Sequence, residues 1–72
     1  MNEYTVMLNW DDEAQVWYAL NDDIPIALES GSLDLLMERV RLAVPEILEL
    51  NGKEHRDVYL NFTTKRRAKV IA

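Results

Sequence analysis

The sequence predicts an α+β fold: a small antiparallel sheet in the order β-β-β-α-β, with one long helix packed on one face. Three observations point there. Two runs of alternating character, Tyr4 to Trp10 and Val16 to Leu20, flank the acidic turn Asp11-Asp12-Glu13-Ala14. A helical apolar stripe follows from Leu33 to Leu48, and a last alternating run begins at Val58.

Tyr4, Val6, Leu8 and Trp10 alternate with Thr5, Met7 and Asn9, the period of a strand with one face buried. Val16, Tyr18 and Leu20 alternate with Trp17 and Ala19. Two such runs joined by a short polar turn predict a β-hairpin. Asn21-Asp22-Asp23 reads as the next turn, because Asn and Asp side chains bond to their own backbone. Pro25 has no amide hydrogen and suits a strand start or an edge, so Ile26 to Glu29 is expected as a short third strand.

The helix carries the clearest signal. The Ser32 hydroxyl can accept a hydrogen bond from a free first-turn amide, and Asp34 complements the positive end of the dipole. Leu33, Leu36, Met37, Val40, Ala43, Val44, Ile47 and Leu48 form one stripe at three- and four-residue spacing. Gly52 is a natural stop. Pro45 cannot donate to the carbonyl of Arg41 and crowds that turn, which predicts a kink near Pro45 or two helices meeting there. Val58, Leu60 and Phe62 then alternate with Tyr59, Asn61 and Thr63 as the fourth strand. Residues 65–72, Lys-Arg-Arg-Ala-Lys-Val-Ile-Ala, extend that strand or trail from it. One helix covers one face of such a sheet. Val6, Leu8, Val16, Leu20, Leu60 and Phe62 are expected beneath it, with Met7, Trp17, Ala19 and Tyr59 on the opposite face. Exposed aromatics on a sheet mark an interface.

Seventy-two residues make one domain, 1–72, with a thin core; a chain this short buries only about 60% of the surface its unfolded form exposes. There is no cysteine and a single histidine, so neither a disulfide nor a Cys/His zinc site adds stability. Self-association is the remaining common route, and a homo-oligomer is expected. Met1-Asn2-Glu3-Tyr4 shows no basic region ahead of a long apolar run, and no stretch approaches a membrane span; a cytoplasmic protein is expected. The net charge of −5 is unevenly spread. Residues 1–31 hold Glu3, Asp11, Asp12, Glu13, Asp22, Asp23 and Glu29 and no Lys or Arg, whereas Lys53, Arg56, Lys65, Arg66, Arg67 and Lys69 crowd the end. An acidic first half repels phosphates and suits a basic protein.

Each candidate site has a plainer reading beside it. Asp11, Asp12, Asp22 and Asp23 can imitate phosphates toward an RNA-binding surface, or simply fill solvated turns. Carboxylates can bind a divalent cation, but a nuclease site needs them to converge from several elements, and here the nameable interior strand positions are apolar. His55 lacks an evident partner to orient it and reads as a solvated loop residue. Ser30 and Ser32 sit at a helix start, where capping explains them. The run Lys65 to Lys69 reads either as a nucleic-acid contact or as a charged edge that discourages aggregation; it also suits the acidic half of a neighbouring subunit.

Trp17 to Leu20, Asp22-Asp23-Ile24-Pro25-Ile26, Glu29 to Val40 and Val44 to Gly52 together resemble HicB-like antitoxins. More closely they resemble a short single-domain branch, domain of unknown function 1902, and the run Lys65 to Val70 is similar to the end of that branch. The similarity covers nearly the whole chain. One departure is Ile26, where glycine often follows the proline. The resemblance implies a partial ribonuclease-H-like sheet, dimers or larger assemblies, and a domain that binds a small basic toxin of double-stranded-RNA-binding fold and blocks its mRNA cleavage. Longer members carry a C-terminal DNA-binding segment; this chain ends at Ala72, so direct DNA binding is not expected. The resulting expectation is a binding module rather than an enzyme, with no cofactor, metal or membrane. Its contacts would be Met7, Trp17, Tyr59, Asp11, Asp12, Asp22 and Asp23. The alternatives are an oligomeric scaffold or sensor without a toxin, and a metal-dependent nuclease.

Overall fold

A computed structural model describes residues 2–71. Strand β1 (Asn2–Asp11) and β2 (Val16–Leu20) form the expected antiparallel hairpin. The turn between them is built by Asp11, whose Oδ1 accepts from the amides of Glu13 and Ala14 at 3.1 and 3.2 Å. Gln15 closes it at φ 56°, a left-handed conformation that β-branched residues avoid. A two-residue β3 (Glu29–Ser30) pairs antiparallel with β2. Helix α1 (Leu33–Leu50) follows, and β4 (Val58–Lys65) completes a four-stranded sheet in the order β3-β2-β1-β4.

The fourth strand corrects the all-antiparallel expectation. β4 runs parallel to β1, from Asn2 opposite Val58 to Asn9 opposite Lys65. A helical crossover returns the chain to the starting end of the sheet, which parallel pairing needs and a tight turn cannot supply. Alternation is the same for either direction, so the pattern alone did not distinguish them.

β2 corrects a second expectation. Leu8 lies opposite Ala19, and Trp10 opposite Trp17, so Ala19 and Trp17 share the helix-covered face with Leu8. Ala19 is buried and Trp17 packs on the core, while Leu20 is 40% exposed on the other face. Val16 and Leu20 are therefore not beneath the helix. The cause is turn length: four residues separate Asp11 from Val16, and a change of one inverts every side chain of the strand.

The third strand is also shorter and later than Ile26 to Glu29. Residues between Asn21 and Glu29 instead form an apolar loop that fills the core without a ladder. Asn21 Oδ1 accepts from the amides of Asp23 and Ile24 at 2.7 and 2.8 Å, and its Nδ2 donates to the Thr5 carbonyl at 2.7 Å. That clamp turns Ile24 inward until it is 1% exposed. Ile26 and Leu28 pack behind it.

α1 obeys its sequence signals. Ser32 has an extended backbone and its Oγ accepts from the Leu35 amide at 3.2 Å. Leu36, Val40, Val44 and Leu48 point into the core with Val6, Leu8, Ala19 and Ile24. At the far end Gly52 takes φ 66°, its amide donates to Glu49, and the Lys53 amide donates to Leu48 at 2.9 Å. This is the crossed pair of bonds that glycine makes cheaply past a C-terminus. The helix continues through Pro45 as one element; it does not divide into two. Ser32→Ala is expected to remove about 1 kcal/mol, a loss of roughly 4–8 °C in thermal midpoint for a domain of this size. A midpoint unchanged in a calorimetric scan would show that the cap carries no stability.

Candidate functional site

The sheet has one covered and one open face. On the open face Met7 sits opposite Leu20, each 40% exposed, and Tyr59 is 56% exposed farther along. Tyr59 pairs with Glu3, Thr5 with Asn61 and Met7 with Thr63, so an apolar pair is set among hydroxyls, an amide and a carboxylate. A shallow hollow beside Met7 is bounded by Glu3, Asn21, Asp22 and Asp23. The structure therefore brings Met7 together with Asp22 and Asp23, and places Tyr59 on the same face.

Trp17 does not belong to that group. It lies on the covered face, edge-on to Trp10 with ring centroids 5.4 Å apart and an interplanar angle of 63°. The Arg66 guanidinium stands 3.9 Å from the Trp10 ring centroid and 5.8 Å from that of Trp17, within reach of the negative ring faces. This arrangement pins the start of the chain after β4. The indole nitrogen of Trp10 donates to Asp12 Oδ1 at 3.2 Å. An open hollow beside Trp10 and Tyr18 is lined by Lys65, Arg66, Arg67 and Lys69. The Trp10–Trp17–Arg66 cluster was not visible in the sequence, because it depends on the hairpin register and on where β4 ends.

Asp11 and Asp12 thus lie at one end of the sheet, engaged in turn and indole hydrogen bonds, and Asp22 and Asp23 lie beside Met7. The two acidic turns do not form one surface with Tyr59. The loop before β4 is organised by Glu54, whose Oε1 accepts from the backbone amide of Arg56 at 2.8 Å, from its side chain at 3.3 Å and from the His55 amide at 3.0 Å. The Arg56 backbone bond first, then its side chain, holds the Glu54 carboxyl below the usual carboxylate range. Among the described residues no three Asp, Glu or His side chains gather to hold a cation. No described helix is long and apolar enough to cross a membrane.

Comparison with known proteins adds a family and a fold. The family model described as "Domain of unknown function (DUF1902)" matches residues 3–72. A crystal structure of a hypothetical protein from the extremely thermophilic bacterium Thermus thermophilus is 35% identical, with a TM-score of 0.82 over 96% of this chain and 100% of that one. No curated protein matches.

Proposed function

Because the chain belongs to the family of domain of unknown function 1902, whose description assigns no activity, we propose from its own surface that it is a protein-binding module of HicB-like antitoxin type. In this reading it occupies a small, basic, RNA-cleaving toxin and blocks it by steric and electrostatic occlusion. The observation that carries the reading is the open sheet face, where exposed Met7 and Leu20 adjoin Asp22 and Asp23. Glu3, Asp22 and Asp23 make the end of this face beside Met7 acidic, while Lys65 stands opposite Asn9 at its other end. An apolar contact with an acidic border on that side suits a basic partner there. Trp17 drops out of the contact set because it packs under the sheet, and Leu20 takes its place.

The test is co-expression with any short basic reading frame found adjacent to the gene for this chain; the lack of one would favour a scaffold without a toxin. Co-expression is expected to rescue growth that the neighbour alone arrests, and the two chains are expected to co-purify. Met7→Glu together with Asp22→Lys and Asp23→Lys should weaken the complex at least tenfold, since a buried apolar contact and an attractive rim are lost together. Toxicity unaffected by co-expression, or binding indifferent to these three changes, would remove this reading.

A further inference from the structure

The fold leaves one long strand edge without a partner. β4 ends the order β3-β2-β1-β4, and among the described residues no strand pairs with its outer side. Its eight residues, at about 3.3 Å each, present an edge of roughly 26 Å, a template for pairing with another chain. The opposite edge offers no equivalent, since β3 is two residues long.

Two further observations say what covers this edge. Val58, Leu60 and Phe62 pack against the core from the helix side but stay only half-buried, because no strand covers the outer side of β4 among the described residues. A neighbouring strand with the same alternation would finish burying them. Charge is also polarised along β4. Lys65 stands in its last ladder pair, and Arg66, Arg67 and Lys69 follow. Its first residues are bracketed by Glu54 and Asp57, with Glu3 opposite Tyr59. Arg56 and Glu54 offset each other at 3.3 Å, which leaves Glu3 and Asp57 against Lys53 at that end.

Beyond Lys69, which still borders the hollow beside Trp10 and Tyr18, the chain leaves its own body. Val70 and Ile71 are 84% and 99% exposed, and the molecule extends 51 × 21 × 19 Å. Its radius of gyration is 13.7 Å, against about 11 Å for a compact chain of this length. Two apolar residues thus stand free behind four cations, open to contact with a second surface.

We propose that β4 pairs antiparallel with β4 of a second copy about a two-fold axis, laying each basic tail along the acidic start of its neighbour's β4. An antiparallel arrangement brings the Lys65 end of each strand to the Val58 end of the other, so one contact matches the charges twice, as a self-complementary interface requires. The product is a continuous eight-stranded sheet with both helices on one side and both open faces on the other. The interface uses an edge rather than a face, so it stands independently of the toxin-binding reading.

Because the chain has no cysteine, one introduced thiol can form a disulfide only between copies. Under mild oxidation Asn61→Cys, at the middle of β4, is expected to give a covalent dimer, while Glu38→Cys on the outer helix surface gives none. The unmodified chain should sediment at twice 8.4 kDa and dissociate at least tenfold more readily in 1 M salt than in 0.05 M. Arg67→Glu with Lys69→Glu should weaken it similarly at low salt. Mixing that variant with a Glu3→Lys, Glu54→Lys chain should restore a heterodimer, which distinguishes lost complementarity from lost folding. A mass of 8.4 kDa at about 100 μM, or a dimer whose cross-linking is equal from both thiol positions, would overturn the proposal.

Discussion

Leu8→Ala will remove much of the stability of this domain, whereas Leu20→Ala will remove little. Leu8 is fully buried at the centre of β1, opposite Ala19 and beneath α1. Truncating a buried leucine costs about 2–5 kcal/mol, because the lost transfer energy is joined by a cavity the surroundings only partly fill. A chain of 72 residues at roughly 0.05–0.15 kcal/mol per residue has about 4–11 kcal/mol in total. The substitution therefore halves the stability or comes close to unfolding the protein. Leu20 is 40% exposed on the open face, and its truncation should cost about 1 kcal/mol or less. Urea unfolding checks the pair: the midpoint should fall steeply for Leu8→Ala and slightly for Leu20→Ala, with the slope unchanged. Comparable losses from both would mean that Leu20 is under the helix, and the β2 register would be wrong.

That comparison also marks where the sequence was legible. Ser32 and Gly52 were readable because capping is local: each acts on amides and carbonyls within a few residues, and the 3.6-residue stripe between them leaves little freedom. β1, β2 and β4 are readable as strands, since alternation survives any pairing; the two-residue β3 is too short to show it. Their relations are not. Val16, Tyr18 and Leu20 are more apolar as a set than Trp17 and Ala19, so hydrophobicity favoured the wrong face. What decides the matter is the length of the Asp12–Gln15 loop, with its left-handed residue at φ 56°. Ile24 was hidden for a different reason. It enters the core from a loop held by Asn21, and an apolar segment without regular backbone has no period to show which of its residues points inward. The surface inherits both kinds of error: Met7, Tyr59, Asp22 and Asp23 follow from their own strands and turn, while the alternation puts Trp17 on the open side and Leu20 beneath the helix, the reverse of where they lie.

The same register gives Trp17 and Tyr59 opposite behaviour. Trp17→Ala is expected to act on stability. The ring packs on the core, meets Trp10 edge-on at 5.4 Å and lies 5.8 Å from the Arg66 guanidinium. A fully buried tryptophan costs about 3–5 kcal/mol to truncate; partial exposure lowers this to about 2 kcal/mol, or roughly 8–16 °C in midpoint for a domain of this length. Loss of one ring beneath Arg66 also frees the tail, so proteolysis after Arg66 or Arg67 should accelerate. Tyr59 has 56% of its surface in solvent, and Tyr59→Ala should move the midpoint by no more than about 3 °C, within the usual range for surface positions. Under the proposed function its effect falls on association, where an exposed aromatic on a flat face can anchor a partner. Thermal melts of the two variants, followed by partner titration at a temperature where both are folded, separate the roles. If Trp17→Ala melts with the unmodified chain while Tyr59→Ala collapses, the covered and open faces have been exchanged, and the proposed contact surface moves with them.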